Sequence, residues 1–232
     1  MGIDYTKRPQ PAAPPPPGGQ VSLSKVTLTK SAPTVSLSKQ GSATGTLRVN
    51  LNWTARPAAP PASGGFLSRL KSGVTPPIDL DLACLYEYGD GAKGVVQALG
   101  NAFRDAHSYG ADPICWLDGD DRSGSNTGGE NLFVNLAHVH AIRRILVFAF
   151  IYEGAPSWAA ANGVVTLYPV AGPQVEVRLD EHDTRSPMCA IAMIENSGGE
   201  LSVRREVRYI QGGHRELDGA FGWGMQWQSG RK

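Results

Sequence analysis

Acidic residues are not abundant in this chain of 232 residues, yet several stand close together in patterns that suit metal chemistry. Asp79-Leu80-Asp81 sets two acids two residues apart. On an extended strand rising ~3.3 Å per residue they share one face, about 6–7 Å apart, while Leu80 points the other way. Asp118-Gly119-Asp120-Asp121 then opens a run to Glu130 with no apolar side chain and several residues that tolerate positive φ. Carboxylates gathered in this way repel and push up one another's pKa values unless a cation joins them. Ca²⁺ answers that need, since it takes oxygens from carboxylates, amides, backbone carbonyls and water. Asp79, Asp81, Asp118, Asp120, Asp121, Asn126 and Glu130 are the candidate ligands, with Thr127 as a neutral oxygen donor.

The run is not an EF-hand. Counting from Asp118 puts Gly129 where the bidentate Glu belongs; counting from Gly119 restores Gly124 and Glu130 but loses the leading Asp. Its flanks read as strands, not helices. Spacing alone therefore leaves two readings open, a metal-binding loop and a solvated acidic loop.

Other chemistry is less developed. His138 and His140 share a face of an extended segment, a spacing that zinc can use, but no third ligand lies near them in sequence. Asp180-Glu181-His182-Asp183 reads as a solvated turn. Cys84, Cys115 and Cys189 include no Cys-x-x-Cys pair and read as small buried side chains in a reducing compartment. No Gly-x-Ser-x-Gly elbow, Walker loop or strand-anchored dinucleotide fingerprint is present. Cys115 lies only three residues before Asp118, which keeps one rival in play. That rival is an enzyme, a metal-assisted hydrolase or a redox protein, using the same acidic pocket. A calcium-dependent lipid- or glycan-binding module is a third reading.

The elements that must position the acids follow from patterning. Leu47–Trp53 alternates apolar and polar residues and is expected to be the first long strand. Strand signals recur at Ile78–Glu87, Gly94–Gln97, Asn131–Leu136, Arg143–Tyr152, Val164–Tyr168, Val175–Leu179, Met188–Glu195, Leu201–Tyr209 and Phe221–Gln228. Shorter alternating repeats start at Val21, Val26 and Val35. Ile145–Ile151 is apolar throughout and should be a central strand buried on both faces. Asn101–His107 and Pro156–Ala161 are the helical candidates. Many short strands, Gly/Pro turns and few helices predict an all-β fold, an antiparallel β-sandwich. Residues 1–20, with Pro14–Pro17, read as a disordered Pro-rich tail, residues 21–232 as one β-sandwich domain, and 54–77 as a Pro/Gly/Ala-rich inserted loop.

With 22 basic and 21 acidic residues the net charge is +1, so no general attraction to nucleic acid is expected. No apolar run approaches the roughly 18–20 residues of a membrane helix, and no signal-peptide core begins the chain.

Several of these segments together resemble the TerD family of bacterial tellurium-resistance and stress-response proteins. Val21–Lys25, Asn52-Trp53, Asp79-Leu80-Asp81, Gly119–Gly124, Glu130–Leu136 and Arg144–Glu153 occur in that family's order. Gln97–Asn101, Leu117–Gly124 and Gly213–Met225 look most like its TerA branch. The resemblance spans roughly residues 21–230. It implies a Ca²⁺-binding β-sandwich that holds the ion through an Asp-x-Asp strand, here Asp79 and Asp81, and an acidic loop, here Asp120 and Asp121. Glu153, the eighth candidate ligand, stands where the family's later motif has Asp, and the stretch Ser123–Glu130 is less acidic than usual; both departures weaken the case for a second Ca²⁺ site. The implied protein is non-enzymatic and cytoplasmic, with Ca²⁺ as cofactor and other tellurium-resistance or stress-response proteins as partners. Peripheral contact with the inner membrane surface is compatible with the tail, and no small-molecule substrate is identified.

Overall fold

The computed structural model describes residues 25–28, 34–37, 44–54, 77–106, 112–122, 124 and 126–228. The expected tail and all but the ends of the 54–77 insertion lie outside these residues.

Among the described residues, twelve strands form two six-stranded sheets. The first sheet runs β1 (Lys25–Thr27), β10 (Gln174–Leu179), β9 (Gly163–Tyr168), β3 (Thr46–Asn52), β7 (Glu130–Asn135) and β6 (Cys115–Leu117). The second runs β2 (Thr34–Ser36), β12 (Glu200–Ile210), β11 (Met188–Ser197), β8 (Ile142–Glu153), β4 (Asp79–Tyr88) and β5 (Lys93–Val96). Pairing is antiparallel except between β1 and β10. The predicted antiparallel sandwich is therefore the observed fold.

Alternation along the strands sorts side chains between two cores. Leu80, Leu82, Cys84 and Tyr86 of β4 enter the inter-sheet core with Val49 and Leu51 of β3 and Leu132 and Val134 of β7. Ala83 and Leu85 point the other way, into a second core with Leu146 and Phe148 of β8 and Ala190 of β11. Of the apolar run Ile145–Ile151, Ile145–Phe150 is buried on both faces as predicted, while Ile151 is half-buried.

The second core exists because the chain's end covers the outer face of the second sheet. Helix α1 (Trp158–Ala161) falls within a predicted helical segment. Helix α2 (His214–Phe221) corrects another prediction, since Phe221–Gln228 was expected to be a strand. The described residues after α2 pair with no strand; the buried Asp218 carboxylate holds them instead, accepting from Gly224 N (2.7 Å), Met225 N (2.8 Å) and Trp227 Nε1 (2.9 Å). Trp223 is consequently buried on the sheet, with Arg144 stacked 3.9 Å from its ring centroid. Asn101–His107 forms no α-helix among its described residues: Leu99–Asn101 is a 3-10 turn, and Ala102 and Arg104 make isolated bridges. The three-residue strand β6 was not predicted, being too short for alternation to register.

Candidate metal centre

Two elements from different sheets make the acidic site. Asp79 begins β4, entering the sheet just after Ile78, whose carbonyl accepts from Trp53 Nε1 at 2.9 Å. Gly154 fixes the same entry from β8: it has φ of +79°, and a side chain there would collide with the Pro77 carbonyl. A register shift in the β4–β8 ladder falls between Asp79 and Leu80, a bulge of the kind that re-aims a side chain. Asp79 and Asp81 are both buried, Asp81 completely.

The second contribution is the loop between β6 and β7. Its neck is closed by Asp118, which accepts from Asn131 N (3.2 Å) and from Asn131 Nδ2 (2.8 Å). Its far side is tied to β3. Asn50 Nδ2 donates to the Gly128 carbonyl (2.6 Å) and to Asn131 Oδ1 (3.0 Å), and Asn52 Nδ2 donates to the Thr127 carbonyl (3.2 Å). Gly129, at φ +60°, lies so close to Leu51 that any Cβ would strike its carbonyl. Asn126 closes the last turn, accepting from Gly128 N through Oδ1 (3.0 Å), while its own amide N–H donates to Asp121 Oδ2 (3.2 Å).

So held, the loop brings Asp120 to the strand acids. One carboxylate oxygen each from Asp79, Asp81 and Asp120 lies within 4.8 Å of the others. Asp118, Asp120, Asp121, Asn126 and Glu130 line an adjoining cavity of about 280 Å³. Glu130 is itself buried and accepts from Leu82 N (2.7 Å) and Asp121 N (3.0 Å). Burial, with Asp81 and Asp120 adding repulsion, pushes its carboxyl up to about 9, although the two amide donors pull the other way. Arg122 pairs with Asp120 Oδ2 at 2.9 Å and is largely exposed. The group is thus made of hard oxygen donors crowded into a mostly buried space, a donor set suited to a hard divalent cation and unsuited to a soft one.

The chain is 46% identical over 234 residues to the tellurium resistance protein TerA of an Alcaligenes species, a match covering 100% of this chain and 66% of that protein. The chain is a relative of this tellurium resistance protein along its whole length. No family model matches it. Among solved structures, it is similar to a protein of unknown function, SAV2460, with a TM-score of 0.52, 15% identity, and 79% of this chain and 99% of that one covered; this likeness concerns the fold. A homologue of the telluride resistance protein TerD from Streptomyces coelicolor A3(2) overlaps more loosely, with a TM-score of 0.48 and 18% identity over 75% of this chain and 95% of that one.

In this relative of TerA the eight predicted site residues divide by place. Asp79, Asp81 and Asp120 converge. Asp121, Asn126 and Glu130 stand around them on the loop cavity, and Asp118 also lines that cavity while its oxygens engage Asn131. Glu153 is opposite Asp79 in the β4–β8 ladder but is exposed. Sequence reasoning missed Asn50, which takes a polar position in the β3 alternation and so gives no sign of its burial, and the ion pair of Arg122 with Asp120. His138 pairs with Asp112 at 3.2 Å, and neither it nor His140 belongs to the carboxylate group.

Proposed function

We propose that the chain is a calcium-binding, non-catalytic component of a tellurium-resistance or stress-response assembly. Asp79, Asp81 and Asp120 would hold the ion, with Asp121, Asn126 and Glu130 nearest to complete its oxygen shell. The observation that carries this reading is the convergence of three carboxylates from a strand of one sheet and a loop of the other. Burial of so much like charge favours a bound cation, and the ion would supply the cross-link that stiffens the loop against β4. The ordered loop would then present a surface to protein partners. The name of the Alcaligenes relative supports the resistance setting; that protein is longer, since the chain spans 66% of it. No helix among the described residues is long and apolar enough to cross a membrane, which fits a partner reached from the aqueous side.

The enzymatic reading is less well supported. Cys115 is fully buried in the inter-sheet core beside Cys84, whose thiol is pushed up by burial and by the neighbouring Cys115. A nucleophilic or redox thiol needs the opposite, an exposed site that favours the thiolate.

Thermal unfolding of metal-free protein with and without Ca²⁺, followed by pull-down of partners under both conditions, tests the proposal. It expects a higher melting temperature and Ca²⁺-dependent capture. An unchanged melting curve at millimolar Ca²⁺ would count against it, and a Cys115→Ser variant that failed to confer resistance in cells while binding Ca²⁺ normally would favour the rival.

A further inference from the structure

We propose that the cavity at the start of α2 binds a purine base. The cavity measures about 490 Å³, within the usual range for small-ligand sites, and shares no lining residue with the acidic site. Gln97, Leu99, His214 and Trp227 form its walls, with Arg215 and Glu216 at the helix's first turn.

Two of these walls carry polar atoms that the fold leaves unused. Gln97 is 93% buried, and its Oε1 has no hydrogen-bond partner among the described residues. His214 Nε2 is likewise buried with no partner among them. Buried polar groups are nearly always paired, so two orphans carried by residues that line one cavity point to a ligand that pairs them. The rest of the His214 ring is fixed by aromatic neighbours, with Phe150 and Trp227 centroids both 5.0 Å away and Phe148 at 5.7 Å. Burial lowers this imidazole to about 4, so at neutral pH it offers one donor and one acceptor rather than a charge.

These features select the ligand's class. A carboxamide shows a donor and an acceptor side by side whichever way it is turned, and that pair matches the N6/N7 edge of adenine. The indole of Trp227, fixed through its Nε1 to Asp218, and the neutral imidazole offer flat surfaces of the kind on which a base stacks. An anion is a poorer match. Glu216 places a carboxylate at the helix start, and its Oε2 already takes the Gly213 N–H at 2.7 Å.

Calorimetric titration of adenosine into the full chain, with cytidine and AMP in parallel, tests this. The expected result is one adenosine per chain, with cytidine at least about tenfold weaker. Gln97→Met should weaken adenosine by about tenfold or more, because it keeps the volume and removes the paired amide. His214→Phe, which keeps the aromatic packing, should do the same if Gln97→Met fails to fold. No heat with adenosine at millimolar concentration, equal binding of cytidine, binding of AMP without adenosine, or an unchanged affinity in a folded variant would each overturn the proposal.

Discussion

The Leu82 amide donates to the Glu130 carboxylate at 2.7 Å, joining the backbone of β4 in one sheet to a side chain of β7 in the other. The contact exists because β5 pairs with β4 only from Cys84 to Glu87. Before that point the β4 edge would leave Leu82 N buried without a ladder partner, and Glu130 supplies one. The same carboxylate takes the Asp121 amide, so one side chain secures both halves of the acidic site. Glu130→Ala should therefore cost roughly 1–3 kcal/mol by orphaning two donors, and Glu130→Gln less, since its amide oxygen can still accept from one of them. Urea unfolding of both variants in metal-free buffer checks the order.

Arg122 lies against Asp120 and competes with any cation there. Its removal leaves the carboxylates in place and takes away a positive charge. Arg122→Gln should bind Ca²⁺ roughly two- to fivefold more tightly at low salt, with the difference shrinking as salt rises. Titrations at two ionic strengths measure this.

Asp218 organises the chain's end through three hydrogen bonds and is itself 5% exposed. Asp218→Ala should destabilise the protein by roughly 2–4 kcal/mol. It should also loosen the segment from Gly222 onward from the second sheet. A red shift of tryptophan emission and faster proteolysis at the chain's end are the expected readouts.

His214 supplies a pH dependence. Its folded pKa, about 4, lies below the ordinary value near 6.5 because burial disfavours the charged ring. The unfolded chain therefore takes up a proton first as pH falls. The stability associated with neutral His214 is complete above the unfolded pKa and is lost between about 6.5 and about 4, by an amount of order 1–3 kcal/mol. Wild-type stability minus that of His214→Phe, followed over that window, should fall as the pH falls.

Much of the sandwich was legible because alternation is a direct image of a two-faced strand. Leu47, Val49 and Leu51 enter the core, and Ile145–Phe150 is apolar throughout because α2 and the segment after it cover the sheet's second face. The same covering segment was misread for a physical reason. Phe221, Trp223, Met225 and Trp227 alternate with small or polar residues, as in a strand, but Asp218 holds the described residues after α2 in a path without a ladder, in which Gly222 and Gly224 have positive φ. The Asp-x-Asp pair was legible from spacing. That Asp120, rather than Asp118, joins it depends on how Asn50, Asn131 and Gly129 fold the loop, and those are contacts between residues up to 81 positions apart.

The central claim is that the three converging carboxylates hold Ca²⁺. Calorimetric titration of Ca²⁺ into metal-free wild type and Asp81→Asn tests it most directly, because Asp81 is wholly buried within that group. One Ca²⁺ per wild-type chain, with affinity reduced at least about a hundredfold in folded Asp81→Asn, is the predicted result. No binding by wild type at millimolar Ca²⁺, or equal binding by both proteins, would contradict it.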